Sequence, residues 1–580
     1  MALFSPSESP AVTVKEVDLT GFAPNVQTTT GAFVGNFRWG PVDTPTLVSD
    51  EANLTEKFAA PDTNTTEDFH TATSFLTYSN SMYNIRVVDG SARNSFDSSG
   101  GASIAPTVNN NEDLENQLST LATAGHTFIG MFPGALGNSL KVEMCPADSA
   151  SGTLFSAWNH AGEFDTKPGT SDFASNLGAF NDEVHVVVVD EDGVITGTAG
   201  NVLERYPYVS LAANAKNTDG STNYVLDVIN NNSRYVAAVG FDSDYDSTGA
   251  GDDAISGKDY RASGSTLGRF SASLTGGVDA SSITTSNITS GYDLVQDQDT
   301  FQVDFLIANN FSAAGDNETI AEHCIAISEA RKDCITVVSP NKAAVVNNSG
   351  SENTSVKTFA DTLTRSSYAF MDNQHLKVFD KYNDKYIFIP ACGATAGVMA
   401  RSDRDTAPWY SPAGLNRGTY FNVVGLAYNP SKAERDELYK SGVNSITNLP
   451  GQGVTLFGDK TMLGRPSAFD RINVRRLFIT LERAIGRAAQ SVLFELNDEF
   501  TRAEFVNIVE PVLRDVKGRR GITDFRVVCD ETNNTGAVID RNELVASIFV
   551  KPSRSINYIT LNFVATRTGV DFQEVVGQAF

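Results

Sequence analysis

Cysteine is scarce in this chain, and basic side chains are in the minority. The 580 residues hold five cysteines, Cys145, Cys324, Cys334, Cys392 and Cys529, odd in number and far apart. Such spacing excludes a disulfide framework and a close zinc quartet, and predicts a reducing compartment. No apolar run approaches the ~18 residues of a membrane span, so no stable membrane insertion is expected. The opening MALFSPSESP lacks the basic start and apolar stretch of a secretory signal. With 70 acidic and 44 basic residues the formal charge is −26. A surface so acidic repels a phosphate backbone, and no direct nucleic-acid partner is expected.

Familiar chemistry is missing too. There is no P-loop, no dinucleotide fingerprint, no His-Glu-x-x-His and no Gly-x-Ser-x-Gly, and the six histidines are scattered. The chain is therefore expected not to be an enzyme, with no catalytic residue and no cofactor assigned. His323 adjoins Cys324, but both fall in an apolar helical pattern, which predicts a buried structural thiol rather than a nucleophile. The stretch FDSDYDSTGAGDD places Asp242, Asp244 and Asp246 like the first ligands of a calcium loop. Ser247 stands where such a loop needs glycine and Asp253 where it needs glutamate, so the three aspartates are weak metal candidates only.

What is present is strand and helix grammar in blocks. Residues 1–22 read as an N-terminal arm with a short strand, AVTVKEV. Residues 23–95 begin an α/β core. Residues 96–298, rich in Ser, Gly, Asn, Asp and Thr between strand-like runs such as SLKVEM and EVHVVVVDEDG, read as one or two inserted outer domains. Residues 299–431 resume the core, with the apolar strand CITVVSP and the helix NETIAEHCIAISEAR. Residues 432–580 read as a C-terminal α+β domain, with a helix bent or restarted near Pro511. The fold class expected is thus α+β multidomain: an α/β core interrupted by strand-rich inserted domains, and a C-terminal α+β domain with exchanged terminal β-strand arms.

The longest helical pattern starts near Asp470, with Val474, Phe478, Leu481, Ile485, Ala488 and Val492 on one face. Arg476, Arg483 and Arg487 share another face, and Arg475 adjoins them. One reading is a solvated face with local salt bridges. The other is a basic docking helix for an acidic partner, another copy included, since guanidinium groups make forked pairs with carboxylates.

At the ends, Val12, Val14 and Val17 belong to one strand arm. Tyr558, Ile559, Leu561, Phe563, Val570 and Phe572 belong to a second run just before the C-terminus. The strand 556–566 finds a plausible antiparallel partner in NELVASIFV. The segments 11–17 and VDFQEVV are short of partners, and strand addition between copies supplies them.

Several stretches resemble the phage tail sheath family of the T4-like myovirus type: PGQGVTLFGDKT, FDRINVRRLFITLERAIGR, LFELNDEFTR, FRVVCDETNNT and VIDRNELVASIFVKPSRSINYITLNFVAT, with GNSLKV farther upstream. The resemblance implies a structural subunit of a contractile virion tail, assembled in the host cytoplasm. Copies would form hexameric rings stacked helically around a tail tube protein, bounded by baseplate and tail terminator proteins. Contraction would drive the tube through the host envelope. It also implies that a helix of the inner domain meets the tube, which maps onto Arg476, Arg483 and Arg487, although another sheath subunit could equally face them. A related contractile injection device, or a static tube or shell, remains the alternative.

Overall fold

The structure is a computed structural model that describes residues 29–97, 99, 101–147, 153–261, 268–310 and 316–557. The arm residues Val12, Val14, Val17, Tyr558, Ile559, Leu561, Phe563, Val570 and Phe572 lie outside the described residues. The chain divides into a large body, Phe22–Arg487, and a smaller one whose described part is 488–557.

The large body opens with β1 (Gly31–Gly35), β2 (Thr46–Val48) and β3 (Met82–Arg86). An insertion follows, carrying β4 (Phe128–Gly130), β5 (Leu140–Pro146), β6 (Glu183–Asp190), β7 (Asn201–Ser210), β8 (Val236–Ala238) and β9 (Phe270–Ser273). The core then resumes with β10 (Phe305–Ile307), β11 (Ile335–Val338) and β12 (Ala369–Asp372), the group β13 (His375–Asp380), β14 (Lys385–Pro390) and β15 (Gly425–Leu426), and finally β16 (Val443–Leu449) and β17 (Gly453–Phe457).

Eight strands form the central sheet in the order β17-β16-β12-β11-β10-β1-β3-β2, parallel from β16 to β3 and closed at both edges by an antiparallel strand. Parallel strands buried on both faces need apolar residues at successive positions. In β10, Phe305 and Ile307 enter one core and Leu306 the other, and Phe33 is likewise flanked by Ala32 and Val34. The first core is covered by the helices Thr66–Leu76, Cys392–Asp405 and Ile472–Gln490. The second is covered by Thr285–Asp293, Asp316–Arg331, Glu352–Thr362 and Lys432–Lys440.

Two glycines permit the closest helix approach on the first face. A Cβ at Gly393 would lie 2.3 Å from the Thr71 carbonyl oxygen, and one at Gly397 would lie 2.4 Å from the Tyr78 ring.

The insertion has its own four-stranded antiparallel sheet, β7-β6-β5-β9, and its own apolar core around Val142, Val186, Val188 and Phe270. Arg86, at the end of β3, pins it to the central sheet. Its guanidinium donates to the carbonyls of Phe37 (2.7 Å), Gly40 (2.9 Å) and, in the insertion, Pro133 (2.7 Å).

Two expectations are corrected. The boundary expected at 432 falls inside the large body, because β16 pairs with β12 and β17 with β16; the division comes instead after Arg487. Of the bend or restart expected near Pro511, the restart does not occur: the helix Glu499–Gly518 runs through Pro511 as one element. In the smaller body this helix is capped by Asp498, whose side chain accepts from the Thr501 N–H at 2.8 Å. It buries Phe505, Val509, Leu513 and Val516, and packs on the strand that leads an antiparallel pair, β18 (Ile522–Val528) with β19 (Ser547–Pro552). In the described residues, then, the partner of the SIFVKP strand is the strand at 522–528.

Candidate functional site

The arginine-rich helix is the first place to look for function, and its side chains turn inward. Arg476 pairs with Asp403 of the helix Cys392–Asp405, and its guanidinium carbon lies 4.9 Å from the centre of the Phe305 ring. Arg483 donates to Asp304 at 2.5 Å and to the Asp333 carbonyl oxygen at 2.8 Å, just ahead of β10 and β11. Arg331 makes a forked pair with the Asp333 carboxylate, both bonds at 2.9 Å. Arg475 lies between the rings of Tyr368 (4.3 Å) and Phe469 (3.9 Å). A cavity of about 10 Å³ remains between Asp304, Asp333, Ile335, Arg476, Ile479 and Thr480, room for about one water molecule.

Arg475, Arg476 and Arg483 therefore do not form the expected exposed docking stripe. Each is directed into its own body, and the carboxylates that receive Arg476 and Arg483 come from distant sequence. Arg487 is half-buried and makes no ion pair among the described residues. Burial pushes the Asp304 carboxyl up, and Arg483 and the Thr30 N–H oppose that.

The second place is the crevice at the carboxyl ends of the parallel strands, where open α/β sheets hold ligands. Strand order reverses between β1 and β10, since the chain runs from β1 to β3 on one side and resumes at β10 on the other. There Asp68 accepts from the Asn36 N–H (2.7 Å) and the Asn309 amide (3.1 Å). Farther along, Asp372 accepts from Ser339 Oγ (2.8 and 3.0 Å), Thr395 Oγ1 (3.1 Å) and the Gln374 N–H (3.1 Å). Burial pushes both carboxyls up to about 7. The start of the helix Cys392–Asp405 fills this crevice. The Cys392 N–H donates to Ser339 Oγ at 2.8 Å, and every residue from Cys392 to Asp403 is buried. These groups form a buried polar layer under a helix, in which the carboxylates of Asp68 and Asp372 are hydrogen-bonded while Asn309 Oδ1 and Gln374 Oε1 find no partner among the described residues, and no sequence motif signals it.

Other candidates have structural duties. Asp242 caps the short helix Ser243–Thr248 by accepting from the Tyr245 N–H at 3.0 Å. Asp244 and Asp246 lie within that helix, where residues two apart diverge. The three make no ligand cluster, and no group of three metal-ligating His, Cys, Asp or Glu side chains occurs among the described residues. Cys324 is fully buried, its thiol pushed up by burial, while neighbouring His323 pairs with Asp293 at 2.7 Å. No helix among the described residues is long and apolar enough to cross a membrane.

Known proteins match along nearly the whole chain. The family model for the phage tail sheath protein central domain matches residues 290–462, and that for the phage tail sheath C-terminal domain matches 465–566. The tail sheath protein of Salmonella phage ViI is 35% identical over 99% of this chain and 98% of its own length. That of Enterobacteria phage T4 is 32% identical over 98% and 99%. Among solved structures, a sheath tail protein of Listeria innocua shares the fold at a TM-score of 0.52, with 11% identity over 91% of this chain and 96% of that one. The chain belongs to the phage tail sheath family.

Proposed function

We propose that this protein is the structural subunit of a contractile tail sheath. Copies form hexameric rings that stack helically around a tail tube, between baseplate and terminator proteins, and contraction drives the tube into the host. The subunit carries out no catalysis; the work comes from a switch between two packings of rigid bodies linked by terminal arms. It acts in the virion tail and is assembled in the host cytoplasm.

The observation that carries this reading is the end-to-end match to tail sheath proteins of two phages. The smaller body supports it. Among the described residues its sheet has two strands, an arrangement that is marginal alone and gains from strands added by another chain. In the same body Leu493, Phe494, Leu496 and Phe500 are exposed at 61%, 104%, 77% and 76%, a surface suited to being covered in an assembly.

Electron microscopy of the purified chain tests the reading. Regular tubes of stacked rings are expected, and a chain lacking residues 1–20 should stay folded without forming them. A full-length chain that remains monomeric at high concentration would rule the proposal out. Tubes formed normally by the truncated chain would remove the strand arm from it.

A further inference from the structure

The hairpin β13–β14 turns one face to the core and one to solvent. The inner face carries Leu376 and Ile389, which join the core of the central sheet. On the outer face of an antiparallel sheet, polar residues are the usual occupants. Here the outer positions are Lys377 opposite Phe388 and Phe379 opposite Tyr386. Phe379 is 46% and Tyr386 58% exposed, and their rings lie 5.3 Å apart. The Lys377 ammonium lies across this aromatic surface, 5.3 Å from the Tyr386 ring and 6.0 Å from that of Phe388. Beyond it Gly425 stands opposite Lys377 in β15, where a Cβ would come only within 4.0 Å of the lysine Cβ, so no side chain walls off that side.

The rings hold the lysine head in place before any partner arrives. Lys377 makes no ion pair among the described residues. Rigid aromatics around a positioned cation have the composition of a binding hot spot rather than of a solvated face. The chain as a whole carries −26, so a second copy offers a predominantly acidic surface to a positively charged patch.

We propose that the outer face of the β13–β14 hairpin, with Lys377, Phe379 and Tyr386 at its centre, is an inter-subunit contact that receives an acidic surface of a second copy of this chain. The inference rests on the assembly reading above.

The full chain, its Lys377→Glu variant and its Phe379→Ser/Tyr386→Ser variant are compared for tube formation by sedimentation and electron microscopy. Circular dichroism and thermal midpoint report the fold. Because these side chains are at the surface, both variants should stay folded, and each should need about tenfold more protein to polymerise. A second arm reads the contact directly, at a protein concentration high enough for the labelled chain to polymerise. All five native cysteines are buried, so Tyr386→Cys in an otherwise unchanged chain takes a maleimide photo-crosslinker at one site. Illumination of tubes should join residue 386 to an Asp/Glu-rich peptide of another copy.

Variants that polymerise like the parent, or adducts formed only with a tube protein or within one copy, overturn the inference and leave the sheath reading standing. A parent chain that never polymerises overturns both.

Discussion

Arg476 reaches from the helix Ile472–Gln490 to the carboxylate of Asp403 on the helix Cys392–Asp405, and the two side chains are only 5% and 1% exposed. A buried pair of this kind is weak evidence for stability as a unit, because both charges lose their hydration. Losing one partner is a different matter, since the other charge stays buried without the opposite charge it pairs with. Arg476→Met should destabilise the chain by about 3–5 kcal/mol, and Arg476→Met with Asp403→Leu should recover much of that. Urea midpoints of the parent, the two single variants and the double variant measure the coupling. A single variant costing less than about 1 kcal/mol would mean the pair is solvated in solution.

The buried carboxyl of Asp372 titrates at about 7, against an ordinary 3.8, because burial disfavours its charge more than Ser339, Thr395 and the Gln374 N–H favour it. The folded state therefore holds this proton more tightly than the unfolded chain does. Its contribution to stability is complete below the ordinary value and is lost as pH rises toward 7, at a rate of about 1.4 kcal/mol per pH unit. Asp372→Asn mimics the protonated form. It should flatten the fall in denaturation midpoint between about pH 4 and pH 7 and melt above the parent at pH 8. An unchanged pH profile in the variant would show that Asp372 is already ionised at low pH.

Glycine substitutions should divide by helix. Gly393→Ala or Gly397→Ala pushes a methyl group into the neighbouring helix Thr66–Leu76 or the Tyr78 ring just after it. Overpacking there should lower the melting temperature through a loss of about 1–3 kcal/mol or more. Nothing lies within 4 Å of a Cβ at Gly486, in the helix Ile472–Gln490. Gly486→Ala should stabilise the chain by about 1 kcal/mol through helix propensity. Differential scanning calorimetry of the three variants distinguishes the outcomes, and equal shifts for all three would contradict the close approach.

Arg86 serves carbonyls on both sides of the junction between sheet and insertion, and its burial lowers the guanidinium to about 10. A lysine keeps the charge but has neither the planar fork nor enough directed donors. Arg86→Lys should leave backbone oxygens unpaired, at roughly 1–3 kcal/mol each. Hydrogen exchange should speed up around 131–140 while the β10–β12 region stays protected. Uniform acceleration across the body would place Arg86's role elsewhere.

Continuous β-branched runs were plain in the sequence. The VVVV stretch of β6 and the ITVV of β11 are strands because both faces are buried. Strands β7 and β9 carry no such signal: NVLERYPYVS mixes charges with a proline, and FSAS is short, and both lie at sheet edges where one side needs no apolar partner. The arginine helix misled for a related reason. Helical periodicity separates Val474 and Leu481 from Arg476 and Arg483, and a charged face ordinarily means solvent. Here both faces are covered, and the guanidinium groups meet Asp403 and Asp304 instead of water.

The sequence by itself determined what local order and motif can carry: the alternation of core and insertion, the absence of familiar catalytic signatures, and the stretches that mark a tail sheath chain. Periodicity and spacing act over a few turns or one strand, so those features survive without coordinates. Only the tertiary structure decided that β16 and β17 complete the central sheet, that Arg476 and Arg483 are internal clamps, and that a helix closes the crevice over Asp372. Each depends on groups tens to hundreds of residues apart meeting in a low-dielectric interior, where an opposite charge or a hydrogen bond must be found on another element.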